Sequence, residues 1–252
     1  MLDFKDQVVV VTGSGSPKGI GRVIARTFAK QGATAIIADL NEAGLKETVD
    51  IIQKEGGKAE GVVLDVTNKE SVDAFVAHLM AKYGRIDVLI NNAGISQKVT
   101  VEDMTLADME RIFRVNMFGL FLVTQACVRE MKKKGYGRVV SLSSVSAKRG
   151  GGIFGGAHYS ASKAAVLGFS KNLAREVAAD GITVNCVCPG LINTEIWKSL
   201  PQEAADKIIA DIPAGRPGET QEVANTIVFL ASPEASYITG EDVDINGGSH
   251  MD

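Results

Sequence analysis

Seven short runs rich in valine, isoleucine and alanine recur along the chain, and a stretch with helical spacing of apolar residues separates most of them from the next. The runs span 7–12, 33–39, 58–66, 85–94, 137–144, 181–190 and 241–245. Apolar strands with little polar alternation belong in sheets covered on both faces. Uninterrupted alternation of strand and helix calls for parallel strands joined by right-handed crossovers. The expected fold class is therefore α/β, a doubly wound parallel sheet of seven strands. No linker, low-complexity tract or internal repeat divides the 252 residues, so one domain over 1–252 is expected. The least regular stretch, 190–216, is bounded by glycine and proline and reads as a substrate loop or lid.

Composition excludes several classes of function. A net charge of −3 with both signs interspersed leaves no basic stripe for nucleic acid and no polybasic patch for an acidic membrane surface. No apolar run approaches the roughly 18 residues of a membrane span. The first residues enter a strand without the apolar core of a signal peptide, so a cytoplasmic protein is expected. Cys127, Cys186 and Cys188 read as reduced core thiols. His78, His158 and His250 lie far apart, and no metal site is expected.

Ligands of a doubly wound sheet bind beyond the carboxyl ends of the strands, where the strand order reverses, and the turn after the first strand is the expected phosphate site. Here that turn holds Gly13, Gly15, Gly19 and Gly21, with Ile20 opening a helix. Glycines let backbone N–H groups approach a pyrophosphate, and the helix N-terminus adds a favourable dipole. Asp39 ends the second strand, and Leu40 follows it. A carboxylate there can accept hydrogen bonds from both adenosine ribose hydroxyls and would repel a 2′-phosphate, so NAD is expected rather than NADP. The competing role for Asp39 is the N-cap of the next helix, a role that Asn41 could fill instead. Asp65, followed by Val66 at the end of the third strand, could face the adenine or serve a turn.

Tyr159 and Lys163 stand four apart where a helical pattern begins, which puts them on one helix face. A cation beside a phenol, whose pKa is ordinarily about 10, favours the phenolate, which can take a proton from an alcohol.

These residues belong to a wider set: Thr12 to Gly21, NNAG at 91–94, Asn116 in VNMFG, Ser144, YSASK at 159–163 and CPGLINT at 188–194. On them the chain resembles the short-chain dehydrogenase/reductase family over essentially its whole length. The resemblance implies a Rossmann fold with Tyr159 as general acid/base. Lys163 would lower its pKa and bind the nicotinamide ribose, Ser144 would hold the substrate oxygen, and Asn116 would support Lys163 through water. Asn91, Asn92, Ala93 and Gly94 would border the cofactor. Ile192 and Thr194, beside Pro189 and Gly190, would meet the nicotinamide carboxamide. Ser141, Ser143 and Ser146 compete with Ser144, but strand alternation and alignment on GRVVSLSS favour Ser144.

Two departures from the family pattern stand out. Five residues, SGSPK, separate Gly13 from Gly19 where the family usually has three, so Ser14, Ser16 or Lys18 could reach a phosphate, and Lys18 leaves some room for NADP. The interval from Ser144 to Tyr159 is two residues longer than in many relatives, and the glycine-rich RGGGIFGG within it reads as a wall beside the substrate or a plain surface turn. Ser146, Arg149, His158, Asn193 and Trp197 flank the inferred site and point to a hydroxylated or anionic substrate. The resemblance thus suggests an NAD-dependent oxidoreductase acting on a secondary alcohol or ketone of the sugar, polyol or hydroxy-acid kind. The alternatives are a 3-oxoacyl-thioester reductase, a branch that usually takes NADPH, and a non-catalytic NAD-binding regulator. It also implies a homotetramer packed through the helices near 103–134 and 158–179 and the C-terminal strand.

Overall fold

The computed structural model describes residues 2–151, 154–194 and 202–251. The first run forms β1, Val8–Thr12, with all five residues buried. The others form β2, Thr34–Asp39; β3, Lys58–Val63; β4, Val88–Asn91; β5, Gly137–Leu142; β6, Ile182–Pro189; and β7, Asp242–Ile245. They make one sheet in the order β3-β2-β1-β4-β5-β6-β7, with every neighbouring pair parallel. The order reverses between β1 and β4, which opens a crevice above their carboxyl ends. Several strands stop short of the expected ends: β3 ends at Val63, β4 at Asn91 and β5 at Leu142.

The helices are α1, Ile20–Lys30; α2, Glu42–Lys54; α3, Lys69–Tyr83; α4, Leu106–Phe113; α5, Leu120–Lys134; α6, Ser146–Arg149; α7, Ala157–Val177; α8, Gln202–Ala210; and α9, Thr220–Leu230. Strand alternation divides the core into two layers. Val9 and Val11 pack with Ile24 and Phe28 of α1, Ile52 of α2 and Ile227 of α9. Val8 and Val10 pack on the other face with Phe75 and Leu79 of α3, Val123 and Met131 of α5, and Val177 of α7. Each such side chain contributes about 1.5–3 kcal/mol when fully buried.

The helix read near 103–134 is α4 and α5 joined by a π-helical turn, Arg114–Gly119. Leu106–Lys134 as a whole is also long and apolar enough to cross a membrane by length and composition, a property that counting unbroken apolar runs misses. In the fold, its residues Val123, Cys127 and Met131 lie buried against the sheet.

Candidate active site

The turn after β1 is held by side chains rather than by its own backbone alone. Gly13 has φ 64°, and a Cβ there would stand 2.6 Å from Ala93 Cα, so only glycine fits. Asn92 Nδ2 donates to the Thr12 and Gly13 carbonyls at 2.8 and 2.7 Å, and Thr12 Oγ1 accepts the Asn92 and Ala93 N–H groups, each at 3.1 Å. This ties the glycine turn to the end of β4. Gly21 serves packing, since a Cβ on it would meet Asn92 Nδ2 at 2.6 Å.

Ser14 does not reach outward. It is buried, and its hydroxyl donates to Val11 O at 2.8 Å and accepts Ala38 N–H at 3.1 Å, because a buried polar group must find a partner. Ser16, Lys18, Gly19 and Ile20 instead line the cavity.

Asp39 Oδ2 accepts the Gly15 N–H at 2.8 Å, and Oδ1 accepts the Asn41 N–H at 3.0 Å. The N-cap of α2 is Asn41, whose side chain accepts the Gly44 N–H, so Asp39 is released from that role. Each carboxylate oxygen keeps further acceptor capacity toward the cavity that Asp39 lines. Leu40 is 67% exposed beside it. Asp65 takes the turn role, with Oδ1 accepting from Thr67 N and Oγ1 at 2.9 and 2.7 Å, and Val66 packs against Gly119.

At the other end of the cavity, β5 and α7 bring the reactive groups together. Ser143 Oγ donates to Lys163 O at 2.8 Å and pins α7 to the end of β5. Ser144 faces the cavity; its hydroxyl accepts the Ser146 N–H at 3.1 Å and hydrogen-bonds the Tyr159 phenol. Lys163 is only 5% exposed, and its ammonium donates to Leu142 O at 2.7 Å. Burial pushes the Lys163 pKa down to about 8. Burial pushes the Tyr159 phenol up, with the Ser144 hydrogen bond pulling the other way. This differs from the expectation of a phenol depressed by Lys163: the ammonium is engaged by a carbonyl, and desolvation of the ring prevails.

Asn116 lies in the π turn. Its Oδ1 accepts Ile95 N–H at 2.8 Å, and its Nδ2 donates to Ile95 O at 2.9 Å and Ser162 Oγ at 3.0 Å. A Cβ on Gly94 would stand 3.3 Å from both Asn116 Oδ1 and Lys163 Nζ, so the two side chains converge on one point. Asn91 is a brace instead of a wall, since its buried Nδ2 donates to Thr124 Oγ1 and Ser141 Oγ.

Of the residues expected around the substrate, Ser146 and Arg149 line the cavity, and Arg149 donates to Ser249 O at 3.0 Å. His158 is fully buried and points away, toward Gln97. Asn193 donates to Glu219 Oε1 at 3.1 Å outside the cavity. Trp197 lies outside the described residues. Ile95, Ser96, Phe154, Gly155, Asp211 and Ser249 line the cavity without having been singled out. Phe154 and Gly155 fall in the glycine-rich stretch read as a wall or a plain surface turn, and Asp211 falls in the stretch 190–216 read as a substrate loop; Ile95, Ser96 and Ser249 carry no local signal.

The cavity, about 680 Å³, runs unbroken from the glycine turn past Asp39 and Gly94 to Ser144, Tyr159 and Lys163, and on to Pro189, Gly190, Ile192 and Thr194. The cradle at Gly13, the open start of α1 and the gap that Gly94 leaves before Lys163 fit a dinucleotide laid along it.

A family described as enoyl-(acyl carrier protein) reductase matches residues 13–250. The 3-oxoacyl-(acyl-carrier-protein) reductase of Escherichia coli strain K12 is 40% identical over 250 residues, 99% of this chain and 100% of that protein. A short-chain type dehydrogenase/reductase of Sinorhizobium fredii is 43% identical over 247 residues, 97% of this chain and 98% of its own. The crystal structure of gox2181 matches with a TM-score of 0.94 at 36% identity, covering 98% of this chain and 96% of that one.

Proposed function

Because the chain belongs to the short-chain dehydrogenase/reductase family, oxidoreductases that bind a nicotinamide cofactor, we propose that it interconverts a ketone and a secondary alcohol. The observation that carries this reading is the single cavity joining the glycine turn to Ser144, Tyr159 and Lys163. The glycine turn and the start of α1 would hold the pyrophosphate, Asp39 the adenosine ribose, and Lys163 the nicotinamide ribose, with Ile192 and Thr194 at the carboxamide. The cofactor supplies or accepts the hydride when bound. Ser144 holds the substrate oxygen by a hydrogen bond. Tyr159, which burial keeps protonated, donates its phenol proton to a ketone oxygen in reduction and takes it back in oxidation.

Asp39 favours NAD over NADP, since its carboxylate lines the cavity and would repel a 2′-phosphate. For the substrate, the whole-length match to 3-oxoacyl-(acyl-carrier-protein) reductases supports a 3-oxoacyl thioester better than a sugar or polyol. The polar wall of Ser96, Arg149, Asp211 and Ser249 is what favours the second reading, a hydroxylated or anionic small molecule. Residues 190–216 supply Ile192, Ile208 and Asp211 to the same wall, which supports their role as a substrate loop within a single catalytic domain. The buried, unpaired thiols of Cys127, Cys186 and Cys188 suit a cytoplasmic setting. Phe118 and Phe121, partly exposed, and Phe169, in edge contact with Phe121, support assembly into a homotetramer through α5 and α7.

The test is turnover of acetoacetyl-CoA, sugars, polyols and hydroxy acids, with NAD(H) and NADP(H) in parallel. Tyr159→Phe should lose about 10²–10⁴-fold in rate. Wild-type turnover in that variant would remove Tyr159 from its role, and tight NAD binding without turnover on any substrate would favour a regulatory protein.

A further inference from the structure

Tyr159 lies in the first turn of α7, and what precedes it is fastened to the loop that follows β4. The Gly156 N–H donates to Gln97 O at 2.8 Å. The Gln97 side chain is itself held from two sides: its Nε2 donates to Asp108 Oδ1 at 2.7 Å, and its Oε1 accepts from Arg111 Nη2 at 2.7 Å. His158, buried and adjacent to Tyr159, places Nε2 at 3.2 Å from that same Oε1.

The donor and acceptor roles follow from the chemistry. A carboxylate only accepts and a guanidinium only donates, so Asp108 and Arg111 fix which way the Gln97 amide points. Its oxygen faces His158, and His158 Nε2 must therefore carry the proton that it donates. Asp108 is a firm anchor for this chain of bonds, because it belongs to the capping box of α4 with Thr105, and the Thr105 and Gln97 hydrogen bonds hold its pKa at about 2.

Two glycines complete the junction. A Cβ on Gly156 would meet Val99 O at 2.5 Å, and one on Gly155 would meet Tyr159 Cδ1 at 2.4 Å. Backbone therefore lies directly on backbone at one point and on the Tyr159 ring at the other. The same loop carries Ser96, which lines the cavity, and Ile95, which Asn116 grips.

We propose that His158 and Gln97 form a clamp that positions Tyr159, locking the start of its helix to the loop that builds one side of the cavity through the His158 Nε2 to Gln97 Oε1 hydrogen bond. Neither residue faces the cavity, so both act through Tyr159 as positioning residues. The inference rests on Tyr159 being the general acid/base of the reaction proposed above. Displacement of a reacting group by about 1 Å can lower a rate by about 100-fold, so the clamp is expected to affect turnover much more than cofactor binding at Gly13 and Asp39, which lie at the cavity's other end.

The experiment compares His158→Gln, His158→Asn and His158→Leu. Glutamine puts an amide N–H where Nε2 stands, whereas asparagine places its amide near Nδ1 and cannot reach Gln97. Two readings are taken: steady-state kinetics with NADH and acetoacetyl-CoA, and the titration of Tyr159 by NMR of Cζ-labelled tyrosine, assigned with Tyr159→Phe. His158→Gln should keep turnover near that of the parent protein. His158→Asn and His158→Leu should lose about 10–100-fold in kcat with the KM for NADH unchanged, and their Tyr159 phenol should titrate lower, as the ring gains water. Arg111→Met, an exposed change that leaves His158 in place, should lose less in the same direction.

The clamp is refuted if His158→Gln and His158→Asn behave alike in kcat, or if the Tyr159 titration stays at its parent value in His158→Asn. Failure of the underlying reading shows differently: Tyr159→Phe would then keep full activity while the phenol titration still responds to the His158 variants.

Discussion

Lys163 offers a test whose size can be worked out from its surroundings. Burial takes its pKa from an ordinary 10.5 down to about 8, with the side chain only 5% exposed. Below about pH 8 the lysine is charged in both the folded and the unfolded chain, and folding bears the full desolvation penalty. Between the two pKa values the unfolded chain binds the proton and the folded chain does not, so stability from this group rises with pH and levels off above about 10.5. Integrating the linkage relation from about pH 7 to about pH 9.5 gives a gain of about 2 kcal/mol. Lys163→Met removes the titration while filling similar volume. Urea unfolding of both proteins at the two pH values isolates the effect, since other groups titrate in each. The difference in stability should move toward the parent protein by about 2 kcal/mol at the higher pH. A difference that stays flat within about 0.5 kcal/mol would refute the claim that this ammonium is held against a desolvation penalty. The same variant should lose turnover, which would make Lys163 a residue kept for chemistry at the expense of stability.

Gly13→Ala should destabilise the fold by at least about 1–2 kcal/mol from its left-handed backbone alone, and by more from the contact with Ala93; unchanged urea unfolding would contradict the turn geometry. Asp39→Asn removes the charge that opposes a 2′-phosphate and should raise kcat/KM for NADPH relative to NADH by about tenfold or more, or about 1.4 kcal/mol; an unchanged ratio would take Asp39 out of cofactor choice. For assembly, the parent protein should sediment as a tetramer at micromolar concentration and Phe121→Glu should sediment as a smaller species, because a charge would replace one ring of the Phe121–Phe169 contact at the helix surface. A monomeric parent protein would rule this assembly out.

Much of the fold was legible because its signals are local. Runs such as VVVVT and TAIIAD bury both faces, and each turns into a helix at a glycine or an asparagine whose role is visible in the residue type. The π turn at Asn116 was not legible: one extra backbone residue per turn leaves the apolar spacing of 106–134 nearly unchanged, yet it re-aims the side chain toward Ile95 and Ser162. Family resemblance identified Asn116, whereas periodicity could only place it in a continuous helix. Asp211 reaches the cavity from the stretch already read as a substrate loop, whereas Ser96 and Ser249 come from two distant segments that nothing local marks.

Proximity in sequence misled in two places, for reasons that belong to backbone geometry and desolvation. His158 precedes Tyr159, but successive helical residues point about 100° apart, so the neighbour of a cavity residue faces elsewhere. Ser14 sits among the glycines of a phosphate-type turn, but its backbone is covered by β2, and a hydroxyl there must bond the sheet. The loop's additional length resolves the second case. Ser16 and Lys18 lie on the part of the turn that stands clear of the sheet and line the cavity. The longer spacing between Gly13 and Gly19 thus divides the turn into an inner half that closes against β2 through Ser14 and an outer half that lines the cavity where a phosphate is expected. A serine's place on that division, and not its presence in the motif, decides whether it can bind one.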